Sequence, residues 1–183
     1  MTGTLRYYEG GDDPEYAKLL VRFENGSTLA YINRRRLGKI AITGSAAEYT
    51  AEEGLGPDAL SLDAGGLAEI VSGGRGAIKS TLMNQNRIAG LGNIYTDEIL
   101  FHAGIDPRRA CSELSHDDLA ELHGRIREVS ETAIEAHADP DRMPASWLIR
   151  HREPGAECPG CGGAVEKVTL SGRSTYLCPR CQR

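Results

Sequence analysis

The sequence lacks any long apolar run. None of the apolar stretches in its 183 residues approaches the roughly 20 residues that a membrane-spanning helix needs. The opening segment, MTGTLRYYEGG, also lacks the charged and then apolar pattern of a secretion signal. Internal repeats and low-complexity tracts are absent as well. These absences favour a globular cytoplasmic protein, in which paired cysteines are typically metal ligands rather than disulfides.

Basic residues are missing from one stretch of the chain and scarce in another. Residues 44–69 hold six carboxylates and no lysine or arginine, and residues 112–141 hold nine carboxylates against two arginines. The net charge of −5 therefore conceals basic clusters elsewhere, which suit a polyanion partner or form an ordinary solvated surface. These basic residues are Arg34, Arg35, Arg36, Lys39, Arg75, Lys79, Arg87, Arg142, Arg150, Arg152, Arg173, Arg180 and Arg183.

Four of the five cysteines lie in two Cys-x2-Cys pairs near the end of the chain. They are Cys158, Cys161, Cys178 and Cys181. The intervening residues predict a hairpin that turns at 171–173 and brings the two pairs together. Four thiolates in a tetrahedron suit one zinc ion with Zn–S bonds of about 2.3 Å. Because four cysteines leave no open position, the metal is predicted to be structural, and it would supply the folding energy of this small unit.

The N-terminal region is predicted to be β structure. Apolar residues alternate along residues 18–42 on either side of Asn25-Gly26, a pair that suits a two-residue type I′ turn. A third short strand is expected after Gly38. Three strands bury little apolar surface alone, so this segment is predicted to be part of a larger sheet.

The middle of the chain is predicted to be helical. Ser115 is a suitable N-cap for a helix that extends to about residue 137, and a second helix is expected to run from about Asn93 to near Gly104. The predicted core residues of these two helices are Leu119, Leu122, Ile126, Val129, Ala133, Ile94, Ile99 and Leu100, and Cys111 is also predicted to be buried. The predicted domains are residues 1–54, a linker at 55–66, a helical domain at 67–150 and a zinc unit at 151–183.

The start of the shorter helix has the features of an anion site. Gly90 and Gly92 permit a close approach, and the amides around Gly92 and Asn93 face outward at a helix N-terminus. Lys79 could add a cation. Arg173, at the tip of the predicted hairpin, could direct a guanidinium at a phosphate.

Two segments together resemble the formamidopyrimidine-DNA glycosylase family, which includes the endonuclease VIII enzymes. AGLGNIYTDEILFHAGIDP is similar to its helix–two-turn–helix signature, and the cysteine hairpin ending in GRSTYLCPRCQ is similar to its zinc finger. LGPD at 55–58 resembles the interdomain hinge, and MTGTLRY and NRRRLGKI resemble late segments of the N-terminal sandwich. The resemblance implies an α+β fold: a partial antiparallel β-sandwich remnant, a helix–two-turn–helix domain and a four-cysteine zinc-finger hairpin.

The resemblance also implies roles for individual residues. Lys79, Asn93 and Arg173, with the amide at Gly92, would hold the phosphates that flank an extruded base. The residues at the wedge positions, which fill the gap left by base flipping, are Met1, Arg36 and Leu37. The implied partner is double-stranded DNA with damaged or abasic sites, bound by a monomer in the cytoplasm and nucleoid during base-excision repair.

Three features depart from the family pattern. The sequence does not show the family's N-terminal proline, the glutamate that follows it, or the lysine on a later strand. Leu37 stands where the family more often has phenylalanine, and a leucine can wedge but cannot stack. The stretch 147–158 is shorter than in members that recognise oxidised purines, which argues against purine lesions.

Several functional hypotheses follow from the sequence. The chain would be a damaged-DNA-binding protein without glycosylase chemistry, or an incomplete record of a bifunctional glycosylase and abasic-site lyase. A residual lyase could use the α-amine of Met1 or Thr2 to form a Schiff base with an abasic aldehyde. Outside DNA repair, the acidic helix at 115–137 could serve a zinc-stabilised interaction module.

Overall fold

The computed structural model describes residues 3–36 and 38–183 and divides the chain into two compact units. The first extends to Ser45, and the second is Ala46–Arg183. The mixed α+β class is confirmed, with an antiparallel sheet in the first unit and helices plus a cysteine hairpin in the second. Met1 and Leu37, two of the predicted wedge residues, lie outside the described residues.

The first unit contains one antiparallel sheet of three strands. They are β1 (Gly3–Glu9), β2 (Ala17–Arg22) and β3 (Ser27–Asn33), with β3 in the centre. The expectation of a third strand after Gly38 is wrong, because residues 38–45 form no strand and the third strand is β1. Pairing between β1 and β3 joins residues far apart in sequence, and local pattern does not reveal it.

The connection between β2 and β3 is a three-residue loop rather than the predicted two-residue turn. The Phe23 N–H donates to the Ser27 carbonyl at 2.9 Å, and the Gly26 N–H donates to the Phe23 carbonyl at 3.0 Å. Gly26 has a φ of 83°, so it occupies the left-handed position that closes a type I turn in such loops. Asn25 does not share this conformation, which rules out type I′.

One face of the sheet is apolar and largely uncovered. Leu5, Tyr7, Leu19 and Val21 lie in adjacent rows of the register and remain 41–69% exposed. Apolar side chains grouped and exposed in this way are suited to contact with a further layer or partner. The expectation that these strands are part of a larger sheet stays a prediction.

The second unit contains five α-helices, three short 3₁₀ turns and the hairpin. The helices are α1 (Ala46–Glu52), α2 (Ala64–Ser72), α3 (Ile78–Leu82), α4 (Asn93–His102) and α5 (His116–Glu135). The 3₁₀ turns are Cys111–Glu113, Pro140–Arg142 and Leu148–His151. The hairpin consists of β4 (Glu166–Leu170) and β5 (Arg173–Leu177). No helix in the described part of the chain is long and apolar enough to cross a membrane.

Helix α5 begins with the predicted cap. The Ser115 hydroxyl accepts the Asp118 N–H at 3.1 Å, and the Asp118 carboxylate accepts the Ser115 N–H at 2.8 Å. This reciprocal capping box satisfies two donors at the helix start. The predicted apolar stripe is confirmed, with Leu119 partly buried and the others in the core: Leu122, Ile126, Val129 and Ala133.

Helix α4 starts at Asn93, as predicted, and ends at His102. Ile99 and Leu100 are fully buried in the core, and Cys111 is also buried, but the prediction for Ile94 is wrong because its side chain is 39% exposed. Ile94 is in the first turn of the helix, on the side that faces away from the core.

The segment predicted to be a linker, residues 55–66, is instead packed within the second unit. The Gly56 N–H donates to the Gln85 carbonyl at 2.8 Å, and Ala59 and Ala89 continue the same strand-like pairing. Helix α2 also starts inside this segment, at Ala64, behind the N-cap Asp63. The Gly/Pro content of the segment therefore shapes a packed connection rather than a free one.

Candidate metal centre and nucleic-acid interface

The four paired cysteines form one cluster. All four sulfur atoms lie within 4.8 Å of one another, with Cys158 Sγ 3.7 Å from Cys181 Sγ and Cys161 Sγ 3.5 Å from Cys178 Sγ. A tetrahedral zinc ion with Zn–S bonds of about 2.3 Å would place its sulfurs about 3.8 Å apart. The cluster therefore suits one structural zinc ion, and its four sulfurs complete the coordination shell.

The four thiols do not share one environment, and the pKa values of three of them are shifted in different directions. Hydrogen bonding from the Gly163 N–H lowers the pKa of Cys161 to about 7, whereas burial raises the pKa of Cys158 and Cys181. The Cys161 thiolate is therefore available to a metal near neutral pH. The buried thiols need the positive charge of the metal to ionise, so metal binding and deprotonation occur together.

The hairpin between the two cysteine pairs turns where the sequence predicts. Ser171 and Gly172 both have positive φ, 48° and 71°, which is the type I′ turn expected of a two-residue hairpin loop. Leu170 pairs with Arg173 across the turn. Arg173 is exposed at the tip, and its guanidinium makes no hydrogen bond or ion pair with the described residues.

A buried carboxylate on α4 connects the hairpin to the helices. Asp97 is fully buried, with Lys79 Nζ 2.6 Å from Oδ1 and Arg152 Nη1 2.7 Å from Oδ2. The Tyr176 N–H on β5 donates to Oδ2 at 3.1 Å. One side chain therefore holds α3, α4, β5 and the segment before the first cysteine pair together.

Lys79 lies inside this junction. Its side chain is 1% exposed, and Nζ donates to Thr175 Oγ1 at 2.7 Å in addition to its ion pair with Asp97. Burial lowers the pKa of Lys79, and the neighbouring Asp97 carboxylate opposes that change. Direct contact between Lys79 and a phosphate stays a prediction, because in this conformation the ammonium group is enclosed by the protein.

The side chains of Asn93 and Lys79 meet at one backbone carbonyl, that of Ser174, the residue after Arg173. Asn93 Nδ2 donates to the Ser174 carbonyl at 2.9 Å, and Lys79 Nζ lies 3.5 Å from the same oxygen. Gly92, exposed, is the N-cap of α4, and the first amides of a helix have no intrahelical acceptor. The structure thus brings four of the predicted site residues into one neighbourhood.

Arg36 is the one predicted wedge residue that the structure describes. It belongs to the first unit, is exposed, and has a positive φ of 56°. Its N–H donates to the Asn33 carbonyl at 3.3 Å, which closes the turn after β3. A wedge role for Arg36 stays a prediction.

Comparison with known proteins gives matches along most of the chain. The family model "Formamidopyrimidine-DNA glycosylase H2TH domain" matches residues 55–143, and "Zinc finger found in FPG and IleRS" matches residues 155–183. The formamidopyrimidine-DNA glycosylase of Laribacter hongkongensis is 33% identical, over 100% of this chain and 72% of its own length. That of Moorella thermoacetica is 38% identical, over 92% of this chain and 67% of its own.

The chain belongs to the formamidopyrimidine-DNA glycosylase family. It spans 66% of the length of the Paracoccus denitrificans member, with 35% identity. Among solved structures, the Lactococcus lactis Fpg in complex with abasic-site DNA superposes with a TM-score of 0.84 at 27% identity. It is matched over 100% of this chain and 72% of that one. MutM in complex with carbocyclic 8-oxo-G DNA gives a TM-score of 0.82 at 26% identity, with the same coverage.

The sequence patterns did not identify the residues that hold the cysteine hairpin and the segment before it against the helices. Asp97, Glu98 and Arg152 carry buried or half-buried charges, and Glu98 accepts the Leu148 and Ile149 N–H groups at 2.8 and 2.7 Å. A signal was present, since two carboxylates follow each other directly before the apolar residues 99–101 of the helix. The partners that connect them to the hairpin and the segment before it lie about 50 to 80 positions away, and no local pattern identifies these.

We expect Asp97→Asn to destabilise the protein by about 3–5 kcal/mol, because it leaves the buried Lys79 ammonium without its counter-charge. Thermal or urea unfolding measures the change. The matched control is Glu131→Gln on α5, which breaks an exposed pair with Arg127 and should cost less than about 1 kcal/mol. Equal stabilities of the two variants would contradict the structural role of Asp97.

Removal of the metal tests the cysteine cluster. We expect one zinc per chain in a colorimetric assay, and we expect chelation to unfold the hairpin while α5 keeps its helical circular dichroism, because so small a unit depends on zinc for its folding energy. Cys178→Ser should lose the metal. Cys111→Ala, which alters the one cysteine outside the cluster, should retain it. Zinc binding that survives Cys178→Ser would contradict the assignment.

Proposed function

We propose that this chain binds damaged duplex DNA and grips the phosphates that flank an extruded or missing base. The observation that carries the proposal is the bond from Asn93 Nδ2 to the Ser174 carbonyl, which joins the N-terminus of α4 to the hairpin next to the exposed Arg173. These groups come from parts of the sequence about 80 positions apart, and they are donors or cations.

The chemistry of this surface fits a phosphodiester. Free amides at the start of α4 and the positive end of its dipole attract an anion. Arg173 adds a guanidinium that can donate two parallel hydrogen bonds to phosphate oxygens. Because zinc and Asp97 both hold the hairpin, the guanidinium is carried by a rigid ribbon, which lowers the entropy lost on binding.

Family membership supports a role in base-excision repair. The solved relatives are complexes with abasic-site, 8-oxo-G and FAPY-dG DNA. We propose the same class of partner here, with a preference for abasic sites, because extrusion costs least where the base is missing. We assign no catalytic role to any described residue, so the proposed contacts concern binding. By resemblance, Met1, Arg36 and Leu37 would fill the gap, and the protein would act as a monomer on cytoplasmic DNA.

The test is a binding titration with zinc-loaded protein and a labelled duplex that contains a stable abasic analogue. We expect Arg173→Ala to weaken binding by about 1–3 kcal/mol, the range for a hydrogen bond to a charged group. Arg127→Ala is the matched control: it removes the same charge from the exposed surface of the acidic helix α5 and should leave affinity unchanged.

Three outcomes would contradict the proposal. Equal affinity for abasic and intact duplexes would remove the preference for damage. Affinity that Arg173→Ala leaves unaltered would remove the hairpin tip from the interface. An absence of DNA binding at every salt concentration would instead favour the acidic helix and a basic protein partner, because phosphate contacts strengthen as salt is lowered.

A further inference from the structure

A polar depression lies beside the hairpin turn and is not used by the contacts proposed above. It has a volume of about 540 Å³ and is lined by Gly73, Arg75, Ser80, Thr81, Asn84 and Arg87. None of these lining residues carries a carboxylate. Two guanidinium groups without a nearby counter-charge in the lining make the depression attractive to an anion.

Arg87 is fixed in the wall of the depression. Its Nη1 donates to the Ile70 carbonyl at 3.2 Å and its Nη2 donates to the Gly73 carbonyl at 3.1 Å, at the end of α2. These two bonds satisfy carbonyls that the helix leaves open, and they hold the guanidinium plane still. A guanidinium has five N–H donors, so others remain for a ligand.

Asn84 and Arg75 supply further donors to the depression. Asn84 Oδ1 accepts the Asn86 N–H at 3.0 Å, so the Nδ2 group of Asn84 keeps its donors. Arg75 is exposed, and its guanidinium makes no hydrogen bond or ion pair within the part of the chain that the structure describes. The two lining hydroxyls are paired within the protein, Ser80 with Ser171 and Thr81 with Cys111. The fixed cation, the unengaged cation and the amide together suit phosphate oxygens.

The depression adjoins the surface already assigned to DNA. Ser80 in its lining lies 2.8 Å, Oγ to Oγ, from Ser171 in the hairpin turn, two residues before Arg173. This adjacency puts the depression within reach of a DNA strand held at Arg173. A site for a free anion would not have to adjoin the hairpin tip. Because the depression does adjoin it, we favour a phosphate of the same duplex as the ligand.

We propose that this depression, through Arg75 and Arg87, holds a further backbone phosphate of the DNA bound at Arg173. The inference rests on the proposed function and extends it. A contact with the sugar-phosphate backbone carries no information about the base, so the site adds affinity equally for intact and damaged duplexes. The hairpin tip, in contrast, lies at the lesion.

The test uses the zinc-loaded chain, with Arg75→Ala and Arg127→Ala compared at several salt concentrations on abasic and intact duplexes. We expect Arg75→Ala to weaken both by about three- to tenfold and to reduce the slope of log K against log salt by about 1, while the preference for the abasic duplex stays as in the unaltered protein. Arg75→Lys should restore the slope, because it keeps the charge. Arg127→Ala should change neither affinity nor slope.

The outcomes separate the two proposals. If the unaltered chain binds DNA and Arg75→Ala keeps both its affinity and its slope, this inference is overturned and the proposed function stands. If the unaltered chain binds no duplex, both fail. Titration with inorganic phosphate alone is the remaining arm. Thermal stabilisation by phosphate that Arg75→Ala abolishes, with DNA binding unchanged, would assign the depression to a free anion and contradict the inference.

Discussion

The arrangement of the second unit depends on one buried carboxylate. Asp97 meets two cations and a backbone amide without contact with solvent, and it joins two helices to the zinc hairpin. An isolated charge in this position would be strongly unfavourable, so each partner is needed for the others to remain buried. A buried ionic cluster of this kind adds little net stability, and its main effect here is to fix the position of the hairpin relative to the helices. In that position, the hairpin tip lies beside the start of α4.

Zinc and Asp97 therefore have different tasks. The cysteine cluster folds a hairpin too small to have an adequate core, and the carboxylate fixes where that hairpin lies. Asn93 is bonded to the hairpin at the edge of the junction, and Arg173 is left exposed beside it. Lys79 is buried because it neutralises Asp97. It therefore stabilises the junction under the proposed DNA surface and is not itself part of that surface.

Local signals made part of this structure predictable from sequence. The Cys-x2-Cys spacing gave the metal cluster, Ser115 gave the start of α5, and the glycines before Asn93 gave the start of α4. Most of the features that local signals did not reveal depend on residues distant in the chain. Strand β1 forms only by pairing with β3, and residues 55–66 are ordered by hydrogen bonds to residues 85–89. The buried charge of Asp97 is balanced in part by Arg152. The Asn25-Gly26 turn failed for another reason: an Asn-Gly pair fits both a two-residue loop and a three-residue loop closed by glycine.

Hydrogen–deuterium exchange of the zinc-loaded chain, with and without an abasic-analogue duplex, tests most directly whether the junction presents one DNA surface. The amides at the start of α4 have no intrahelical acceptor and exchange quickly in the free protein. We predict that the duplex slows exchange at residues 92–95 and at 171–175 together, and leaves the exposed face of α5 unchanged. Protection confined to α5, or protection at only one of the two segments, would contradict the account.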